Sequence, residues 1–235
     1  MLLLAFDTAT PAVTAALYDG HRVLAETATV DARRHGELLA PSIAKVIADA
    51  GAKPTDLTGI AVGVGPGPFT GLRVGVVTAR VFGRTLGVPV HGVCTLDVLA
   101  RAARPAAAGQ EFLAVTDARR KELYWARYSA AGERLDGPSV NRPADIPPGP
   151  VAGQAASLYP GLGEPIWPEH PSAGVLAALA AERLDAGRLD AGRLEAGRLE
   201  AGRLDTAGPG LLPPEPLYLR RPDAQIPGPP KRVTP

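Results

Sequence analysis

Apolar and polar positions alternate along this chain in two rhythms, and each rhythm predicts a different element. Leu2 to Phe6 is continuously apolar and ends in Asp7-Thr8-Ala9-Thr10-Pro11. A short apolar run closed by turn residues predicts a strand buried on both faces. Ala12 to Tyr18 reads as a second strand, Asp19-Gly20 as a turn and Arg22 to Ala28 as a third strand, giving a meander. Leu39, Ile43, Val46 and Ala50 then recur at helical spacing. They predict a helix over His35 to Gly51 that Gly51 and Pro54 stop and that Pro41 starts or kinks. A strand over Leu57 to Val64, a helix over Gly71 to Leu86, a strand over Val88 to Val93 and a helix over Thr95 to Ala103 follow. This order implies a mixed sheet covered by helices.

After Arg104 to Gly109 the pattern begins again. Phe112 to Val115 runs into Asp117, and Tyr124 to Tyr128 and Glu133 to Val140 supply further strands. Each half thus opens with an apolar strand that ends in an Asp, which predicts an α/β fold of two duplicated lobes, 1–104 and 105–235. Asn141 to Pro171 is dense in Pro and Gly and reads mostly as loop around Val151 to Ala156. From Arg183 to Asp205 the chain repeats RLDAG or RLEAG with a period of five. In a helix each repeat advances ~140° from the last, so its leucines spiral instead of forming a stripe. Its four glycines cost about 1 kcal/mol each, more than its Asp-to-Arg pairs return at ~0.3 kcal/mol apiece. The expectation is a frayed or transient helix, an expanded repeat in a tolerant loop. Pro216 to Pro222 resumes compact sequence before a Pro-rich basic tail.

The most distinctive stretch is Gly63 to Gly83, GVGPGPFTGLRVGVVTARVFG, where a strand enters a Gly- and Pro-rich loop and then a helix. It is neither of two standard phosphate loops. A Walker loop needs Lys and then Ser or Thr after its last Gly, whereas Gly71 is followed by Leu72 and Arg73. A dinucleotide fingerprint needs a third Gly where Pro68 or Thr70 stands. What survives is a candidate residual anion or nucleotide site built from Asp7, Thr8, Gly65, Gly67 and Thr70, with Asp117 as the second-half counterpart of Asp7. The competing role for both Asp residues is to satisfy turn backbone at a strand end, because no Gly stands beside either one for a phosphate to approach. Within the helix, Gly71, Gly75, Ala79 and Gly83 form a ridge almost without side chains, and Arg73, Arg80 and Arg84 mark a second face. Two interior glycines are tolerable where close packing offsets their cost. That packing is either on the chain's own sheet or on a partner.

With 25 Lys plus Arg against 24 Asp plus Glu the net charge is +1. No broad basic field exists to hold nucleic acid unaided, so any RNA contact is local or borrowed from a partner. The single cysteine, Cys94, excludes an internal disulfide and lies among apolar neighbours as a core thiol, which suits a reducing cytoplasm. The opening MLLLAFDT lacks a basic region and reads as a strand and not a signal peptide, and no apolar run approaches a membrane span. No two of the four histidines are spaced to share a metal, and no Ser sits in a nucleophile elbow. No metal and no cofactor is expected.

Five segments, LLLAFDTAT, RHGELLAPSI, GVGPGPFTGLRVG, DARRKELYWARY and PLYLRR, together resemble the TsaB (YeaZ) family. That family is the dimerisation subunit of the bacterial complex that makes threonylcarbamoyladenosine in tRNA. The resemblance covers nearly the whole chain apart from Arg183 to Asp205, and the family pattern has Ser where this chain has Pro68. It implies the two-lobed actin-like ATPase and sugar-kinase fold. It implies too a pseudoenzyme that lacks the His pair of the catalytic TsaD subunit, since the matching region reads GVCTLDVLA. The implied partners are a TsaD-type subunit in a heterodimer, a TsaE-type ATPase, and tRNA through the complex, with a homodimer when alone and no membrane. The residues assigned to the partner contact are Leu38, Leu39, Ile43, Gly71, Arg73, Gly75, Ala79, Arg80, Phe82 and Gly83. Two alternatives stand beside this reading, a phosphotransferase-like or peptidase-like enzyme and a freestanding homodimer.

Overall fold

The computed structural model of the chain describes residues 1–195 and 210–220, with 188–195 as backbone only. The first sheet contains β1 (Leu3–Asp7), β2 (Ala12–Tyr18), β3 (Val23–Val30), β4 (Gly59–Gly63) and β5 (Val90–Val93), in the order β3-β2-β1-β4-β5. Strand β1 runs antiparallel to β2, with Asp7 opposite Thr14, and parallel to β4, with Phe6 opposite Val62. The second sheet contains β6 (Phe112–Asp117), β7 (Leu123–Tyr128), β8 (Arg134–Asn141), β9 (Val151–Ala152) and β10 (Pro165–Ile166), in the order β10-β9-β6-β7-β8. Each sheet therefore places its meander on one side of its first strand and its parallel strands on the other. This repeated topology is the two-lobed α/β arrangement expected from the sequence.

The helices are α1 (His35–Asp49), α2 (Phe69–Leu86), α3 (Thr95–Ala103), α4 (Ala155–Leu158) and α5 (Ala173–Glu195). Alternation along β1 explains why that strand is apolar throughout. Leu4 and Phe6 face α1 and α2, meeting Leu39, Ile43, Val46, Val76 and Ala79. Leu3 and Ala5 face α5, meeting Leu176, Ala177 and Ala180. A strand covered on both faces has no position for a polar side chain until it ends. In the second sheet Phe112 and Ala114 pack with Leu96, Leu99 and Ala103 of α3, while Leu113, Val115 and Trp125 face Ala155 and Leu162. The last helix of each half thus covers the other half's sheet.

Two expectations change. The Arg183 repeat was expected to fray, yet α5 runs on through Glu195. Its Ala-rich first turns dock on the first sheet, and once a helix is nucleated each further residue adds a hydrogen bond without a new nucleation step. Leu184 packs against the core around Leu176, and Arg183 pairs with Asp97 at 2.9 Å and donates to the Gly210 carbonyl at 2.8 Å. The remainder of the repeat, 196–205, and the basic tail from 221 lie outside the described residues.

The small-residue ridge of α2 also turns inward. A Cβ added at Gly71 would run into the Thr8 carbonyl, one at Gly75 into the Thr8 hydroxyl, and one at Gly83 into the Val90 side chain. Ala79 is fully buried. Of the residues assigned to a partner, Gly71, Gly75, Ala79 and Gly83 are therefore taken up by the chain's own sheet, and Leu39 and Ile43 by its core. Helix and sheet approach so closely because these positions carry no side chain to hold them apart. Replacing Gly71 with Ala should lower the unfolding free energy by about 1–3 kcal/mol, because the obstructing atom is backbone and cannot rotate away. Urea unfolding measures this, and a Gly71→Ala protein as stable as the original would show that α2 is not held this tightly.

Candidate functional site

The cleft between the lobes collects the chemistry-bearing residues. From the first lobe come the turn after β1, the loop 64–68 and the first turn of α2, and from the second lobe the turn after β6. Asp7 is fully buried. Its carboxylate accepts the Ala9 N–H at 2.6 Å and the Thr95 hydroxyl at 2.7 Å. Thr95 in turn accepts the Gly65 N–H at 3.2 Å through its hydroxyl and donates its own N–H to the Gly65 carbonyl at 2.8 Å. Burial raises the pKa of Asp7, opposed by the Ala9 and Thr95 hydrogen bonds and by the nearby charge of His35. A Cβ at Gly63 would overlap the Asp7 carboxylate, and one at Gly67 the Ala9 carbonyl. Gly65 has φ +94°, a conformation in which Gly is favoured.

Thr8 donates its hydroxyl to the Gly71 carbonyl at 2.7 Å and is likewise buried. Asp7 and Thr8 therefore have their polar atoms engaged by the lobe's own backbone and by Thr95. The structure separates the candidate anion set. Thr8, Thr70 and Gly71 line a cleft of about 260 Å³ together with Arg33, His35 and Arg119, whereas Asp7, Gly65 and Gly67 lie behind it in the packed loop. Across the cleft Asp117 accepts the Arg119 N–H at 2.9 Å, fixing the turn that follows β6.

Cys94 is buried against α3, and burial pushes its thiol up to about 11. Among the described residues no three His, Cys, Asp or Glu side chains are grouped to hold a metal ion, and no helix is long and apolar enough to cross a membrane.

A second surface lies on the solvent side of α2. Val77 and Val81 are each 56% exposed, flanked by exposed Arg73, Arg80 and Arg84. Val77, Arg80, Val81, Arg84, Val88 and Val90 border a groove of about 560 Å³. Arg73 and Arg80 of the assigned partner set lie on this face, while Leu38 and Phe82 are partly buried against the first-lobe core. Val77 and Val81 were not singled out from the sequence, although they continue the stripe Arg73, Arg80, Arg84 at helical spacing.

The sequence also gave no warning of Asp97. It sits in the first turn of α3, where it accepts the Tyr128 hydroxyl at 2.8 Å and pairs with Arg134 of β8 at 2.6 Å and with Arg183 of α5. Its partners come from three elements far apart in sequence, so no local spacing reports them.

The topology and cleft define a two-lobed α/β protein whose two sheets share one strand order. The family model for TsaD, tRNA N6-adenosine threonylcarbamoyltransferase, matches residues 22–159, and the chain belongs to that family, in its TsaB (YeaZ) branch. An uncharacterized protein of Mycobacterium tuberculosis is 43% identical over 228 residues, 95% of this chain and 93% of the relative. The tRNA threonylcarbamoyladenosine biosynthesis protein TsaB of Escherichia coli is 36% identical over 128 residues, 54% of this chain and 55% of that protein. The YeaZ structure from Pseudomonas aeruginosa superposes with a TM-score of 0.70 at 27% identity, covering 80% of this chain and 93% of that one.

A buried thiol of raised pKa is a poor nucleophile. Native protein at pH 8 should leave Cys94 unmodified by a thiol reagent, with full reaction after unfolding in guanidinium. Rapid labelling of the folded chain would contradict this burial.

Proposed function

We propose that this chain is a non-catalytic subunit in the synthesis of threonylcarbamoyladenosine in tRNA, acting by supporting a TsaD-type catalytic subunit with which it forms a heterodimer. A TsaE-type ATPase completes the assembly. Membership of the TsaB branch supports the pathway. The observation that carries the non-catalytic role is the fate of Asp7 and Thr8, whose polar atoms a phosphotransferase would turn toward the cleft. Here both are buried and bound inside the first lobe. The unreactive setting of Cys94 argues in the same direction against a thiol peptidase.

The docking face in this reading is the outer side of α2. Paired valines ringed by arginines present an apolar centre with a cationic rim, the usual anatomy of an interface that must also be soluble when unpaired. Helix α2 contains no Asp or Glu, so the rim favours an acidic partner surface. Leu38 and Phe82 support the face from beneath. A homodimer formed through the same valines is the resting state that the catalytic subunit displaces.

Mixing the chain with a TsaD-type subunit and following size by light scattering tests this. Heterodimer should form from the unmodified chain. A Val77→Asp, Val81→Asp double variant, which should stay folded because both positions face solvent, should weaken assembly at least tenfold, equivalent to about 1.4 kcal/mol. Assembly at unchanged affinity would remove α2 from the interface, and absence of any complex with the unmodified chain would refute the proposed role.

A further inference from the structure

The turn after β6 is strained. Arg119, Arg120 and Lys121 have φ of +62°, +57° and +61°, three successive side-chain-bearing residues in the left-handed region that side chains disfavour. Hydrogen bonds hold it from both ends. Ala118 N–H donates to the Glu122 carbonyl at 3.0 Å, Glu122 N–H to the Arg119 carbonyl at 3.1 Å, and Arg119 N–H to Asp117. Backbone strain held in this way is concentrated at functional positions, and here it displays three exposed cations at the mouth of the cleft.

The C-terminal segment adds aromatic surface to the same mouth. Leu212 bridges to Gly92 at the edge of β5, and Leu217 donates its N–H to the Val64 carbonyl at 2.8 Å. Tyr218 then stacks on Phe69, with ring centroids 5.3 Å apart, and accepts a hydrogen bond from Arg73 at 3.0 Å while the Arg73 guanidinium lies over the Phe69 ring at 3.8 Å. Phe69 is 39% exposed and Tyr218 41%. Two residues on, Arg220 bonds the Ala118 carbonyl at 3.3 Å and pairs with Glu122, joining the aromatic pair to the strained turn. Arg33, from the approach to α1, lines the intervening cleft with Arg119. Arg119 is paired with Asp117, but Arg33 and Lys121 have no carboxylate partner among the described residues.

We infer that this mouth is a binding surface for single-stranded RNA, with Arg33, Arg119 and Lys121 contacting phosphates and the exposed ring of Tyr218, backed by Phe69, stacking an unpaired base. Exposed rings beside separated cations are what a flexible polyanion with planar bases requires. An acidic polypeptide would be served by the cations alone and makes no use of an exposed ring beside them, whereas an unpaired base does. The chain's net charge of +1 limits the interaction to this patch. The inference goes beyond the assembly role and stands without it, because its phosphate contacts lie on the turn after β6 and the approach to α1 and not on the valines of α2.

The test is fluorescence anisotropy of the full chain with a labelled RNA hairpin carrying an unpaired loop, titrated against salt. Arg33→Glu with Lys121→Glu should weaken binding at least tenfold and flatten its salt dependence by roughly two ions. Tyr218→Ala should weaken it about tenfold with the salt slope kept, since a stacking contact releases no counterion. Circular dichroism should be unchanged in both variants, and assembly with the TsaD-type subunit unchanged in the Arg33, Lys121 variant, which separates a loss of RNA contact from a loss of fold or of the partner. No binding of RNA by the unmodified chain, equal binding by both variants, or binding of polyglutamate in preference to RNA would each overturn the inference.

Discussion

The structure depends on one close approach, the seating of α2 on the end of β1. Thr8 reaches the Gly71 carbonyl at 2.7 Å and leaves no space for a side chain at Gly71 or Gly75. One residue earlier Asp7 fills the space beside Gly63 and, through Thr95, fixes Gly65 and hence the loop between strand and helix. A buried carboxylate is tolerated only when its hydrogen bonds are made inside the protein. Asp7 makes two, from Ala9 and Thr95. Asp7 and Thr8, which look like ligand-site residues in the sequence, are residues whose polar atoms the fold itself requires.

The two lobes are joined by more than the chain between them. Because α3 covers the second sheet and α5 the first, the helices meet, and Asp97 collects Arg134 and Arg183 while Arg101 pairs with Glu182 at 2.5 Å. Removing the buried Asp97 would leave two arginines without their carboxylate, which is more costly than losing a single surface pair. On the cleft side Arg220 and Tyr218 make the corresponding connection from Phe69 and Arg73 to Glu122. Ties on both sides of the cleft oppose the hinge motion by which two-lobed enzymes close on substrate. Such ties favour a fixed arrangement of the lobes over a closing one.

Much of this was legible in the chain. Strand β2 and helix α3 have the bounds that apolar periodicity predicts, and the recurrence of an apolar strand ending in Asp anticipated two sheets of the same order. For the repeat, glycine cost set against Asp-to-Arg pairs points to fraying because that sum covers only the repeat's own residues. The docked Ala-rich segment before them lies outside that sum and decides the outcome. The Asp97 cluster and the strap to Tyr218 were illegible for another reason. Their members lie up to 145 residues apart, and a lone Asp in a helix's first turn looks like an ordinary favourable charge there.

Helix α2 also shows why a small-residue ridge is ambiguous on its own. At 3.6 residues per turn, Gly71, Gly75, Ala79 and Gly83 share one side, and Arg73, Val77, Arg80 and Arg84 the other. Small residues mark where backbones approach most closely, but an outward face has no neighbouring backbone in its own chain and gains from side chains large enough to reach a partner. The inner side of α2 is therefore bare, and the outer side carries two half-exposed valines between arginines. Bare ridge and exposed valines are opposite sides of one helix, and the Gly- and Pro-rich loop that begins at Gly63 sets which side is which. Its glycines admit the Asp7 carboxylate and the Ala9 carbonyl, so the loop can turn tightly enough to press the ridge inward and leave the valines facing solvent.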